Sequence, residues 1–296
     1  MDGNGVDGTR GARGAGAGER AARRLARELA RRIARRSRKP AVALAPQLDV
    51  RPDPLGTFLG GMTYWSPDGP VVSADGERLR PLAQLRCADL CLEGYPREGL
   101  LQFFIGTDDL YGCTLSFAYD GPEYAQDTWR VRYLTDVPSA VPAHELVTLP
   151  EPDRDADEMS PFEWGFLGCA LVPTRIEQPV SIECDELEPL YEREVSGFAP
   201  SEVEAAEAAL PFGLEQQVID YLSEAAPNSW FQVGGYPTFT QADVREDYED
   251  ELVLLKVDSY DDVIMWGDVG VADFLIRRED LERLDFSHVL YTWDCG

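Results

Sequence analysis

The sequence predicts an α+β protein, β-rich, with internally duplicated antiparallel strand units and a few helices, preceded by a basic N-terminal helix. Three observations carry this reading. Apolar runs such as Leu252–Leu255 alternate or stop short, and they lie between Gly-Gly, Pro-Asp-Gly and Asp-Gly turn signals, as strands do. Four sequence features recur in the same order near the two ends of the body. Between them lie two stretches of helical periodicity.

Residues 1–18 are Gly-rich and almost free of large apolar side chains, so disorder is expected there. Their glycines are not preceded by a strand and lack phosphate-loop spacing. From Glu19 to Lys39, Leu25, Leu29 and Ile33 recur every four residues beside Ala22, Ala26 and Ala30, until Pro40 stops the helix. The stripe is narrow and the other faces are arginine. An isolated or weakly docked Arg-rich tail is expected over 1–40, able to contact an anionic surface.

The body is expected to be a single domain, 41–296, opening near Ala41. Residues 55–137 and 228–296 are strand-rich, and 138–227 is a more acidic middle segment. In that middle, 151–158 reads as a solvated loop and 169–184 as strands around Pro173 and Pro179. Ser201 and Glu204 have the spacing of a capping box that opens a helix, which Pro211 ends. A second helix follows, with Leu214, Val218, Tyr221 and Leu222 on one face.

The duplication is read from spacing. Phe58-Leu59-Gly60-Gly61 matches Gln232-Val233-Gly234-Gly235, and Pro81–Leu85 around Gln84 matches Val253–Val257 around Lys256. Phe103-Phe104-Ile105 matches Phe274-Leu275-Ile276. Acidic turns follow at Asp108-Asp109 and Glu279-Asp280, then strands that end at Tyr133 and Tyr291. Leu82–Leu85 and Leu254–Val257 are expected to be equivalent buried strands.

Composition excludes several classes. Residues 1–40 carry 12 Lys/Arg against 4 Asp/Glu, and the remainder carries 15 against 50, a net of −35. Such a body repels phosphate backbones, so it is not expected to bind nucleic acid. No apolar run approaches the roughly 20 residues of a membrane span. Six dispersed cysteines and the lack of a secretory signal point to a cytoplasmic protein.

These motifs resemble the YwqG family of bacterial proteins, a domain of unknown function. The match is carried by Gly234–Gln241, Leu254–Ser259, Met265–Val271, Phe274-Leu275-Ile276 and Val289–Cys295, with Gly60-Gly61, Leu82-Ala83-Gln84, Gly99–Ile105 and Asp108–Gly112 in the first half. It covers roughly 55–296. The family tends to have Gln where Lys256 stands and Pro soon after the first Gly-Gly, and it has no counterpart of the Arg-rich tail. The resemblance implies a β-rich α+β fold with internal duplication and implies no activity.

Candidate chemistry is sparse. Asp258, Asp261, Asp262 and Asp268 crowd around Trp266 and offer hard oxygen ligands for a divalent cation, but without EF-hand spacing. In so acidic a chain, chance clustering explains them as well. Cys87 and Cys91 lack a second Cys/His pair and read as packing thiols. Of the two histidines, His144 lies in a Pro-rich connection, and His288 alternates with Phe286 and Leu290 as a core residue would. No G-x-S-x-G, H-E-x-x-H or phosphate-loop motif occurs, and no cofactor is expected. Tyr236, Trp266 and Trp293 sit beside glycines and carboxylates. If exposed they would contact a partner; the usual burial of Trp favours internal packing instead. The leading expectation is a protein-binding or adaptor role, with Tyr236, Asp258, Asp262, Trp266 and Asp268 as candidate contact residues. The alternative is an enzyme or small-ligand binder that uses the Asp258–Asp268 region.

Overall fold

The computed structural model describes residues 9–113, 125–150, 159–227, 229–245 and 250–296, with side chains from Gly16 onward. The loop expected at 151–158 and residues 1–8 of the Gly-rich segment lie outside this set. The helices are α1 (Thr9–Arg36), α2 (Cys87–Leu90), α3 (Leu187–Val195), α4 (Pro200–Ala209), α5 (Gly213–Ala225) and α6 (Arg278–Glu282). The longer strands are β1 (Lys39–Gln47), β4 (Arg80–Arg86), β5 (Leu100–Ile105), β6 (Arg130–Leu134), β8 (Cys169–Gln178), β10 (Glu251–Asp258), β11 (Val271–Arg277) and β12 (Val289–Asp294). Shorter ones are β2 (Phe58–Leu59), β3 (Thr63–Trp65), β7 (Leu146–Thr148) and β9 (Phe231–Gly234). None of the described helices is long and apolar enough to cross a membrane.

Internal contacts divide the chain into two units, residues 1–39 with 178–227 and residues 40–177 with 228–296. The sequence expectation is an isolated or weakly docked tail over 1–40 and a single domain over 41–296; the contacts instead group the tail with 178–227. In the helical unit, α1 packs against α3, α4 and α5. Ala22, Leu25, Ala26, Leu29, Ala30 and Ile33 are all at most 7% exposed. The stripe is narrow because its alanines let neighbouring helices approach closely, not because it is unpartnered. α5 answers with Leu214, Val218 and Leu222, all buried. Burying Leu25, Leu29 and Ile33 contributes about 1.5–3 kcal/mol each. The helix also begins at Thr9, inside the segment expected to be disordered. At its end the Ser37 hydroxyl donates to the Ile33 carbonyl and accepts from the Val180 amide. The capping box does not form: Pro200 occupies the first turn of α4, Ala199 is the N-cap, and Ser201 lies inside the helix.

The strand unit is built on a ten-stranded sheet in the order β12-β11-β10-β9-β1-β8-β2-β4-β5-β6. The two halves repeat strand for strand. Gln84 pairs with Gln102 and Lys256 with Asp273, and both ladders slip by one residue at the same place, next to Leu82 and Leu254. Phe103 and Phe274 then hold equivalent positions, opposite Val131 and Tyr291. Tyr133 is thereby equivalent to Trp293, two residues beyond the Tyr291 alignment read from the sequence. Gly60 and Gly234 both adopt left-handed backbone, at φ 65° and 70°. A Cβ at Gly60 would lie 2.8 Å from the Phe166 ring, so glycine is required on both counts.

The lead strands are exchanged. β1 precedes the first repeat but pairs with β9 of the second, at Val42–Val233. β8 precedes the second repeat but pairs with β2 of the first, at Leu59–Cys169. Ala43 and Ala170 are therefore equivalent, and each opens an Ala-Leu-x-Pro stretch. One face of each half-sheet contributes to a shared apolar core, where the Phe103 and Phe274 rings meet at 5.1 Å and Trp129 packs on Phe274 and Tyr291.

Candidate functional site

The loop joining β10 to β11 holds most of the residues singled out from sequence. The Ser259 hydroxyl closes it, donating to the Gly270 carbonyl and accepting from the Trp266 amide. Trp266 is fully buried and packs edge-on against Tyr111 at 5.5 Å. Tyr236 is also buried. Neither presents a surface to a partner, so both are core residues. Asp262 and Asp268 are exposed and Asp258 is half-buried. Among the described residues, these three carboxylates do not belong to any cluster whose ligand atoms lie within 4.8 Å of one another. Sequence proximity put them together; the loop splays them.

Asp280, Asp285 and His288 do form such a cluster, but local structure accounts for it. Asp280 takes the Arg283 guanidinium at 2.6 Å, and Asp285 accepts from the Ser287 amide and hydroxyl, which holds its carboxyl below the usual range. His288 is exposed, contrary to the core position expected from alternation, because the chain bends before β12 begins at Val289. His144 is exposed in a 3-10 turn beside Glu145. Cys87 is buried and its thiol is pushed up to about 12 by desolvation, whereas Cys91 is exposed. All six cysteines are free thiols.

A groove lies where segment 160–168 crosses the β10–β11 loop. The Met265 amide donates to the Pro161 carbonyl at 2.7 Å and the Glu163 amide to the Val263 carbonyl at 2.9 Å. Phe162 and Phe166 stack inward at 5.4 Å. With those rings turned in, Trp164 and Leu167 are left more than half exposed, as is Leu48. Together with Phe166, Asp49 and Asp262 they line a cleft of about 460 Å³. Arg51 also lines it, so the rim carries both signs of charge. Large apolar side chains gathered in a concavity with a polar rim are what interface anchors use, and isolated exposed leucines are not.

The outer face of each half-sheet carries a buried polar row. In the first half Gln102 donates to Gln84 at 2.7 Å and to the Trp65 carbonyl at 2.9 Å. Gln84 donates on to the Pro54 and Gly56 carbonyls, and Arg132 donates to Gln102 at 2.7 Å. Burial lowers the Arg132 pKa. In the second half the equivalent positions are Lys256, Asp273 and Thr292. Lys256 reaches the Thr238 hydroxyl only at 3.4 Å, and the Thr238 amide reaches Asp273 at the same distance. The other Asp273 oxygen accepts no hydrogen bond among the described residues, although the side chain is 1% exposed. Burial raises the Asp273 pKa well above the usual carboxylate range; Lys256 and the Thr238 amide oppose this, and Asp294 and Asp258 add to it.

A family model described as Domain of unknown function (DUF1963) matches residues 57–295. The chain belongs to this family. The match takes in both repeats and the groove residues Trp164, Leu167 and Asp262. No curated protein matches the chain. In this DUF1963 member the sequence reading missed Trp164 and Leu167, which lie beside an acidic loop and outside the repeated motifs. It also missed the exchanged lead strands, although the repeated Ala-Leu-x-Pro was a usable signal.

Proposed function

We propose that this chain is a YwqG-like, cytoplasmic bacterial protein with a binding or adaptor role, and that its partner docks in the Trp164–Leu167 groove. The single observation that carries the reading is the groove itself, with three large apolar side chains more than half exposed around one concavity. Trp is among the residues that most often anchor interfaces. The partner is a protein segment that offers an apolar side chain with Lys or Arg nearby, since the cleft lining holds Asp49 and Asp262 against one Arg51 and residues 41–296 carry a net −35. The free thiols suit a reducing compartment. Affinity capture with wild type, Trp164→Ala/Leu167→Ala and the exposed control Val72→Ala tests it. A protein retained by wild type and the control but lost from the double variant is expected; identical retention by all three would refute the groove.

A second reading, a small-ligand or divalent-cation site near Asp258, is favoured by one observation, the buried Asp273 oxygen that accepts no hydrogen bond among the described residues. Under that reading Mg²⁺ or Ca²⁺ raises the melting temperature of wild type but not of Asp273→Asn; an equal response in both proteins rejects it.

A further inference from the structure

The exposed face of α1 is ordered differently from a solvated charge run. At about 100° per residue, Ala22, Leu25, Ala26, Leu29, Ala30 and Ile33 centre on one side of the helix, and Arg20, Arg24, Arg31 and Arg35 fall within about 60° of one another on the opposite side. The arginines on the flanks are engaged within the helical unit. Arg23 pairs with Glu19, Arg32 with Glu28 and Arg36 with Glu194, and Arg27 lies over the Tyr221 ring at 4.8 Å. The four at the pole are exposed, and among the described residues none has a carboxylate within 4.0 Å. From Arg20 to Arg35 the row spans about 22 Å at 1.5 Å per residue.

We infer that this row is a docking surface for the phosphate backbone of a DNA duplex. Charge complementarity gives the sign, and the guanidinium fork matches phosphate oxygens two at a time, which lysine cannot do. Shape gives the partner. A straight row about 22 Å long runs beside roughly six successive phosphates of one strand, which follow each other at about 3.4 Å along the helix axis. A bilayer fits less well. Interfacial helices bury an apolar face among the lipids, and here that face is already covered inside the helical unit. A membrane is also a continuous anionic plane that an acidic protein faces over its whole footprint, whereas a duplex is a rod that one helix can grip. At physiological salt, charges more than about 8 Å away are largely screened, so contact is confined to the row.

The test uses the full-length protein, a fluorescently labelled 30-base-pair duplex of mixed sequence, and vesicles of phosphatidylcholine with phosphatidylserine. Duplex binding is expected at 50 mM salt, with affinity falling roughly 100-fold by 200 mM, as about four phosphate contacts require. Arg20→Gln/Arg24→Gln/Arg31→Gln/Arg35→Gln should lose at least tenfold in affinity at 50 mM with an unchanged melting temperature, since these side chains face outward. Should that variant unfold, Arg24→Gln and Arg31→Gln taken singly each reduce the log–log salt slope by about 1. Absence of duplex binding at 50 mM, binding that survives the substitutions, or retention on vesicles but not on the duplex would each overturn the proposal.

Discussion

The two repeats of the strand unit share register, a ladder slip and a left-handed glycine, yet they differ in what they do with equivalent places. The loop after β4, residues 87–99, folds inward through α2, with Leu90 and Leu92 buried. The loop after β10, residues 259–270, instead clasps segment 160–168 and builds one wall of the groove. The polar rows diverge in the same sense. Gln84, Gln102 and Arg132 form a closed network, whereas Lys256 and Asp273 are buried ionisable groups with long contacts. One repeat has become scaffold; the other carries the exposed and unfinished features.

The largest expected effect comes from breaking the closed row. Gln102→Ala takes the donor from Gln84 and the Trp65 carbonyl and the acceptor from Arg132, and each orphaned buried group costs about 1–3 kcal/mol. Urea denaturation should show a loss of about 3–5 kcal/mol. Lys256→Met, at the equivalent position of β10, should cost less, about 1–3 kcal/mol, because Asp273 can take up a proton rather than remain as a bare buried charge. A loss from Lys256→Met that equals or exceeds that from Gln102→Ala would remove the distinction between the rows.

Asp273 also sets a pH dependence. Its folded pKa is raised, chiefly by burial, while the unfolded carboxyl releases its proton near the usual value of about 3.9. Between those values the folded state holds the extra proton, so Asp273 makes wild-type stability decline as pH rises from about 4 through its folded pKa. Asp273→Asn removes this contribution. Denaturation from pH 4 to 8 should show the variant gaining on wild type as pH rises; a gap that is constant, or that widens in favour of wild type, contradicts the shift.

The strand repeats were legible in the sequence because each is a run of local signals: Gly-Gly, then Leu-Ala-Gln-Leu or Leu-Leu-Lys-Val, then the Phe-led triplet, at nearly matched spacing. The exchange of lead strands was not, since Ala43 and Ala170 look alike wherever they pair. The α1 stripe was visible, but its partners Leu214, Val218 and Leu222 lie nearly 200 residues on, and a periodicity does not say what covers it. His288 misled because alternation was extended past the bend that precedes Val289. Of the candidate contact residues, Asp262 reaches the groove. Trp266 and Tyr236 were aromatic for the core's sake, while Trp164, an exposed aromatic that lines the groove, stood in a segment without a motif.

A smaller contrast separates two thiols of the loop after β4. Cys91 should react with a maleimide in the native state, whereas Cys87, buried and with its thiol pushed up to about 12, should react only on unfolding. Comparable native rates for both would show that this loop opens in the native state and does not hold Cys87 in the core.

The groove is the central claim, and its substitutions should be silent in the free protein. Trp164→Ala/Leu167→Ala should shift stability by no more than about 0.5 kcal/mol, as exposed sites do. The most direct measurement places a photo-crosslinking benzoyl-phenylalanine at Leu167 and, as a control, at the exposed Val172 of β8. Irradiation in cells should give a discrete adduct from position 167, abolished by Trp164→Ala, and none from position 172. No adduct at 167, or the same adducts from both positions, would contradict a partner seated in the groove.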